Sequence, residues 1–293
     1  MKIFLDCLPC ILRQVLEASR LVTDKSDLQA IIMEESIKIL SDYTRYRCSP
    51  EIVSRMHKVV KELTGENDPY HSIKEHDICS AKELYPSLLQ FLQQKQNSLY
   101  WALKIAATGN ILDSAINNNL DIKGCIEEEL SKEFKICDIN IFKEKLASAK
   151  KILIIGDNAG ETVFDKILLN TFSNLDITYA VRNEPIINDA TVQDAISSGL
   201  DNYAQIISTG CNAPGAILDQ CNADFLDIFN QADIVISKGQ GNFEALSDCG
   251  RALFFLLKAK CPVIANKLNV NLNNYVFQYY QGDHEQTFKN SGR

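Results

Sequence analysis

Ile152-Leu153-Ile154-Ile155-Gly156-Asp157-Asn158-Ala159-Gly160-Glu161 is the stretch on which the fold turns. An apolar, strand-like run stops at a turn of small residues. The turn delivers a carboxylate, a carboxamide and a second carboxylate into the first turn of the next segment. In open α/β sheets, ligands sit in the crevice beyond the carboxyl ends of the strands, and N–H groups at a helix start favour anions. Oxygen donors of this kind suit a hard divalent cation better than a soft one. Two familiar phosphate binders are excluded. A dinucleotide fingerprint needs G-x-G-x-x-G, whereas only Gly156 and Gly160 are present, with Asp157 where a pyrophosphate would approach. A P-loop needs a lysine after its last glycine, where Glu161 stands. The alternative for Asp157 is a surface turn in which it merely caps a helix.

Outward from this turn, apolar runs recur at 177–181, 205–207, 233–237 and 262–265, with room for a crossover helix between them. Such alternation predicts a parallel sheet. Polar groups follow several of the runs: Arg182 through Asn188-Asp189-Ala190-Thr191, then Ser208-Thr209-Gly210, then Lys238-Gly239-Gln240-Gly241-Asn242-Phe243-Glu244. If the strands are parallel, Asp157, Asn158, Asp189, Ser208 and Lys238 share one crevice. A cation held by Asp157, Asn158 and Asp189, together with the Lys238 ammonium, is what the charge of a phosphoryl group requires. Gly210 and the segment 239–241 would let backbone amides approach phosphate oxygens. Phosphoryl transfer or hydrolysis is the expected chemistry.

The first half reads as helical. Leu8, Ile11, Leu12, Val15 and Leu16 recur at helical spacing, and similar stripes run through 28–39, 52–63, 88–92 and 105–116. Gly65 and Asn67-Asp68-Pro69 end one of these helices, and Ser49-Pro50 starts another with proline at its first position. The expected architecture is therefore α/β. An all-helical cap domain over 1–140 precedes a catalytic domain over 141–293, a three-layer α/β/α unit with a mainly parallel, Rossmann-like sheet. Asn110 and Asp113 interrupt an apolar stripe and are the cap residues expected to face the crevice, although Gly109-Asn110 also reads as a helix stop.

The blocks Gly156-Asp-Asn-Ala-Gly-Glu161, Arg182 through Thr191 and Lys238 through Glu244 resemble the signature blocks of the DUF89 family, the ARMT1-like damage-control phosphatases. Cys7-Leu-Pro-Cys10, Asp68-Pro-Tyr70 with Lys74, and Gly109-Asn110 with Asp113 resemble further blocks of its smaller, CxxC-bearing branch, so the likeness spans nearly the whole chain. The resemblance implies a metal-dependent phosphatase of small phosphorylated metabolites. Its metal pattern falls on Asp157, Asn158 and Asp189, and its phosphate-contacting lysine on Lys238. The expected site thus comprises Asp157, Lys238 and Glu161 as catalytic groups. Lys238, Ser208, Gly210, Arg182, Asn242, Asn110 and Asp113 are the expected substrate contacts. The expected cofactor is one divalent ion, Mg, Mn, Co or Ni. Whether water or Asp157 attacks phosphorus stays open. The haloacid-dehalogenase pattern wants a second Asp where Ala159 stands, which disfavours a covalent aspartyl intermediate with that partner.

A chain of 293 residues with 46% hydrophobic content can bury a sizeable core beside a smaller partner unit. A formal net charge of -8 disfavours bulk nucleic-acid binding. No apolar run reaches the roughly 18 to 20 residues that span a bilayer, and Asp6 interrupts the start of the chain before it could serve as a signal peptide. A cytoplasmic protein with no nucleic-acid or membrane partner is expected, its oligomeric state open. The ten cysteines are expected to be free thiols. Only Cys7 and Cys10 form a CxxC, and no second CxxC completes a zinc site. The histidines show no metal-binding spacing. The competing readings are a methyltransferase or other nucleotide-ligand enzyme using the same crevice, or a noncatalytic binder of a phosphorylated metabolite.

Overall fold

The computed structural model describes residues 1–109, 122–172 and 174–281. Asn110 and Asp113 lie outside the described residues. A seven-stranded sheet forms the centre, in the order β1-β7-β6-β5-β2-β3-β4. Its strands are β1 (Phe134–Cys137), β2 (Lys151–Ile155), β3 (Asp176–Val181), β4 (Gln205–Ser208), β5 (Ile234–Lys238), β6 (Leu253–Lys258) and β7 (Tyr275–Tyr280). Strands β2 to β6 run parallel, whereas β7 is antiparallel to β6 and parallel to β1.

Strand residues alternate between two helical layers, as the period of two requires. Ile152 and Ile154 of β2, with Ile234 and Ile236 of β5, pack into one core, while Leu153, Ile155 and Val235 pack into the other. The first core is covered by α4 (His71–Gln93), α5 (Ser98–Thr108), α6 (Ile122–Ser131), α7 (Ile139–Leu146), α8 (Glu161–Leu169) and α9 (Val192–Ser198). The second lies under α10 (Ala223–Gln231), α11 (Gly239–Leu246) and α12 (Pro262–Leu268). Helices α1 (Cys7–Val22), α2 (Ser26–Ser41) and α3 (Ser49–Thr64) close around a separate core of Ile11, Val15, Ile32, Ile52, Met56 and Val60. Pro50 lies in the first turn of α3, and Gly65 ends the helix at φ 74°, a left-handed conformation that glycine adopts without a Cβ penalty. Strand β1 and helices α4 to α6 precede residue 140 yet share the core of the sheet. No helix among the described residues is long and apolar enough to cross a membrane.

One expected strand is a helix. Residues 262–265 open α12, with Pro262 in its first turn and the Cys261 sulfur accepting from the Ile264 N–H. A short apolar run reads as strand or helix alike, and proline at the first helical position decides here. The next strand after β5 is instead β6, whose Leu253 to Leu257 are all buried.

The topology also places the ligand crevice. The chain leaves β2 toward β3 and β4 on one side, and β5 lies on the other side and leads to β6 and β7. The order of strands therefore reverses between β2 and β5. In open α/β sheets such a reversal leaves a cleft at the carboxyl ends of the two strands.

Candidate active site

Asp157 follows β2 by two residues, and its carboxylate fits only because position 239 is a glycine. A Cβ built on Gly239 would lie 1.9 Å from Asp157 Oδ2, and Gly239 has φ +78°. Two independent constraints, left-handed backbone and close approach, thus exclude a side chain at the start of α11. The turn after β2 is held to the segment after β3 by three contacts. Ala190 N–H donates to the Asp157 carbonyl at 2.8 Å, Ala159 N–H donates to the Asn188 carbonyl at 2.9 Å, and Asn158 forms an isolated bridge with Asp189. These contacts set Asp157, Asn158 and Asp189 side by side. Ile187, two residues before Asp189, has φ 47°, a strained value for a β-branched side chain. Its side chain packs against the core of α1 to α3.

Two buried cations organise the acids. The Arg182 guanidinium donates from Nε to Asp189 Oδ2 at 2.7 Å and from NH1 to Asn242 Oδ1 at 3.1 Å, and its NH2 lies 3.8 Å from Asp157 Oδ1. Lys238 Nζ, at the end of β5, contacts Glu161 Oε2 at 2.6 Å and Asp165 Oδ1 at 2.7 Å. Tyr179 O–H donates to Asp165 Oδ2 at 2.6 Å. The Glu161 Oε1 atom is buried and accepts no hydrogen bond from the described residues.

The electrostatics are uneven. Asp157, Asp189, Glu161 and Asp165 are buried carboxyl groups, and Arg182 and Lys238 are the two buried cations that touch them. Fully ionised, this cluster carries two negative charges in excess. Burial, reinforced by Asp189 and Glu161, therefore pushes the Asp157 carboxyl well above the ordinary range, with Arg182 and Lys260 opposing. Burial likewise raises Glu161 against the pull of Lys238. For Lys238, burial works to lower the ammonium, but Asp165 and Glu161 outweigh it and hold the charge on. Two carboxylates and a carboxamide in a cluster short of positive charge are a hard-oxygen donor set that fits a divalent cation. Among the described residues no three His, Cys, Asp or Glu side chains converge as a metal-binding group. The set here has only two such side chains, Asp157 and Asp189, with Asn158 as the third donor.

The Damage-control phosphatase ARMT1-like domain description matches residues 3–276. The chain belongs to that family. It is 33% identical over 277 residues to a damage-control phosphatase of Pyrococcus horikoshii, covering 92% of this chain and 95% of that relative. To a damage-control phosphatase of Archaeoglobus fulgidus it is 30% identical over 285 residues, 94% of this chain and 98% of the relative. The crystal structure of a DUF89 family protein from P. horikoshii superposes with a TM-score of 0.89 at 31% identity, covering 96% of this chain and 100% of that one.

Within this family frame the expected site residues separate into groups. Asp157, Asn158, Asp189, Arg182, Glu161 and Lys238 meet at the ends of β2, β3 and β5. Asn242 meets them too, but its amide is fully used: Nδ2 donates to the Gly156 and Lys238 carbonyls, and Oδ1 accepts from Arg182 and from Ala216 N–H. It acts as an internal tie, with no capacity left for a ligand. Ser208 and Gly210 sit one strand further out. Ser208 Oγ donates to Asn183 Oδ1 at 3.0 Å, and a Cβ at Gly210 would strike Asn222 N at 2.6 Å, so this glycine makes room for backbone of its own chain. Three residues escape the sequence reading. Asp165, one helical turn after Glu161, shares Lys238 with it. Tyr179 binds Asp165 from β3. Lys260, exposed just past β6, acts electrostatically on both Asp157 and Glu161, and its N–H donates to Gln240 beside Gly239.

Proposed function

We propose that this chain is a metal-dependent phosphatase that hydrolyses phosphate esters of small metabolites at the carboxyl ends of β2, β3 and β5. The observation that carries the reading is the negative excess of the buried cluster at the strand reversal, supported by the names of the P. horikoshii and A. fulgidus relatives. Asp157, Asn158 and Asp189 would hold one divalent ion, Mg, Mn, Co or Ni. When bound, such an ion supplies positive charge against a phosphoryl oxygen and acidifies water at neutral pH.

The chain's own groups do the rest. Arg182 fixes the Asp189 carboxylate, and Asn242 fixes Arg182. Glu161 offers the buried Oε1 to take a proton from an attacking water, and burial, which raises its carboxyl, makes it a better base than an ordinary glutamate. Lys238, already engaged by two carboxylates, positions Glu161 from behind. Lys260, exposed and acting on Asp157 and Glu161, would meet the phosphoryl charge of an entering substrate. Helices α1 to α3 form the cap. They press on the Asp189 loop through Ile187, and Lys61 Nζ donates to the Pro185 carbonyl.

The test is a screen of p-nitrophenyl phosphate, sugar phosphates and nucleotides under each of the four metals. Hydrolysis that requires a divalent ion, is abolished by chelator, and falls by about 100-fold or more in Asp157→Asn and Asp189→Asn is expected. Full activity in excess chelator would remove the metal from the mechanism. Binding of phosphate esters without turnover would leave a noncatalytic binder, and a retained methyl-donor nucleotide would favour a methyltransferase.

A further inference from the structure

The loop between β4 and α10 is pinched at its base, where Asn222 N–H donates to the Thr209 carbonyl at 2.9 Å. Just inside the pinch, Cys211 and Cys221 stand on the two arms of the loop: Cys211 Sγ lies 3.5 Å from the Gly215 carbonyl and 3.8 Å from Oε1 of Gln220, the neighbour of Cys221, and Cys221 Sγ lies 3.3 Å from the Ile217 carbonyl. Cys211 is buried and Cys221 half-buried, and both pack against Cys48, Ala213, Ile217 and Ala245. The backbone fixes the pair beside the site. Asn183, the residue after Arg182, donates its N–H to the Cys211 carbonyl at 3.1 Å. The loop they close also carries Ala216, whose N–H binds the Asn242 amide that holds Arg182.

Two thiols in one small cluster at the base of a closed loop need only approach to a disulfide length of about 2.05 Å. We propose that Cys211 and Cys221 are a redox-active dithiol, a modification site at which a hydroperoxide installs a disulfide that restrains the loop behind Arg182. The thiolate of one cysteine attacks a peroxide oxygen, the O–O bond breaks, and the departing hydroxide takes up a proton to leave as water. The second sulfur then attacks the resulting sulfenic sulfur and loses its proton as a second water leaves. Two thiols lose two electrons, and hydrogen peroxide becomes two waters.

The electrostatics favour the first step. The Cys221 thiol can donate to Cys211, which lowers Cys211 to about 6 against the effect of its burial, with help from the Ile217 and Ala213 amides and from Arg182. As donor in that bond, and through burial, Cys221 is raised. Cys211 can alternatively turn its own S–H toward the Gly215 carbonyl at 3.5 Å, so the pair shares its protons between two arrangements. A thiolate held near a fixed guanidinium is the reactive form of cysteine.

The bond itself does not depend on the proposed reaction, whereas its effect on turnover does. The full chain is treated with hydrogen peroxide and cleaved before aspartates, which separates the two cysteines at Asp219, and the peptides are weighed with and without reduction. Peptides bearing Cys211 and Cys221 are expected to be joined, two hydrogens lighter, in the wild type and in Cys7→Ser, and to stay apart in Cys221→Ser. Unjoined peptides, or oxidation confined to Cys7 and Cys10, would overturn the assignment. Oxidised wild type is also expected to lose about fivefold or more in kcat/KM on p-nitrophenyl phosphate, reversed by dithiothreitol, with Cys221→Ser insensitive. A joined pair with unchanged turnover would overturn the restraint on Arg182, and a chain with no turnover at all would fail the phosphatase reading while the mass still reports the bond.

Discussion

Two fully buried lysines on the same face of the sheet show how little burial alone says about a charge. Lys238 ends β5 at the crevice and lies between the Glu161 and Asp165 carboxylates, which hold its ammonium charged although burial opposes this. Lys104 lies in α5 against β7, with Nζ 3.1 Å from the centre of the Tyr275 ring and 5.3 Å from that of Phe134, and the ammonium makes no hydrogen bond among the described residues. Burial lowers Lys104 to about 7, and the attraction of Glu129 does not compensate. A ring face returns on the order of 1–2 kcal/mol to a desolvated cation, whereas a close carboxylate in a low dielectric returns more. The crevice therefore retains a fixed positive charge for organising acids, and the far pocket holds an amine that can lose its proton near neutral pH.

The largest effect should come from breaking the first of these. Lys238→Met leaves Glu161 and Asp165 buried beside Asp157 without their cation, and removing one partner of a buried pair typically costs about 3–5 kcal/mol. Thermal unfolding should drop steeply and turnover should fall with it. Lys238→Met/Asp165→Asn should recover part of the stability, because one of the stranded charges is gone. A variant that kept wild-type stability but showed only a raised KM would mean that Lys238 contacts substrate directly and that its carboxylate partners are incidental.

The difference between the two lysines also marks what the sequence discloses. Residues 152–161 are legible because an unbroken apolar run meets a polar turn, and the runs that become β3, β4 and β5 have the same form. That form locates strand ends, so Asp157, Asp189 and Lys238 can be placed at one edge of a sheet without coordinates. Burial and pairing are non-local. Lys238 reads as a strand-end lysine open to a ligand, because its engagement by Glu161 and Asp165 exists only once α8 lies against β5. The far edge is harder. Leu253 to Leu257 and the run 262–265 lie close together, periodicity does not separate a buried strand from a short helix, and assigning the strand to the second run hides Lys260 at the end of the first. Strands β1 and β7, which run against the others, leave no local mark of their direction.

Lys260 sharpens the comparison from the exposed side. It shares Glu161 with Lys238 and also acts on Asp157, but it lies exposed to solvent, where a charge costs little to remove. Lys260→Ala should raise KM for phosphate esters by roughly tenfold, about 1.4 kcal/mol of binding, and leave stability within about 0.5 kcal/mol of wild type. Steady-state kinetics and a thermal melt on one preparation decide it. An unchanged kcat/KM would return the phosphoryl contact to Lys238.

The smallest effect on turnover concerns Lys104, and the sign of its effect on stability is opposite to that of Lys238. In the unfolded chain the amine protonates near its ordinary value of 10.5, whereas in the fold it does so at about 7. Between those two values the unfolded chain holds a proton that the folded chain lacks, so folding stability rises with pH across this window and is lost as pH falls toward 7. Lys104→Met should flatten that rise and, at pH 7, stabilise the protein by on the order of 1–2 kcal/mol, as replacing a buried charge with an apolar side chain often does. The substitution leaves no acid stranded. Glu129 keeps Lys132 at 2.7 Å, Lys258 at 3.0 Å and the Tyr275 hydroxyl at 2.7 Å. Turnover should be untouched, because Lys104 faces β7 and not the crevice. Denaturant titrations at pH 7 and pH 9 on both proteins measure the difference, and an equal pH slope in the two would place the titration elsewhere and leave Lys104 a charged cation held on the ring of Tyr275.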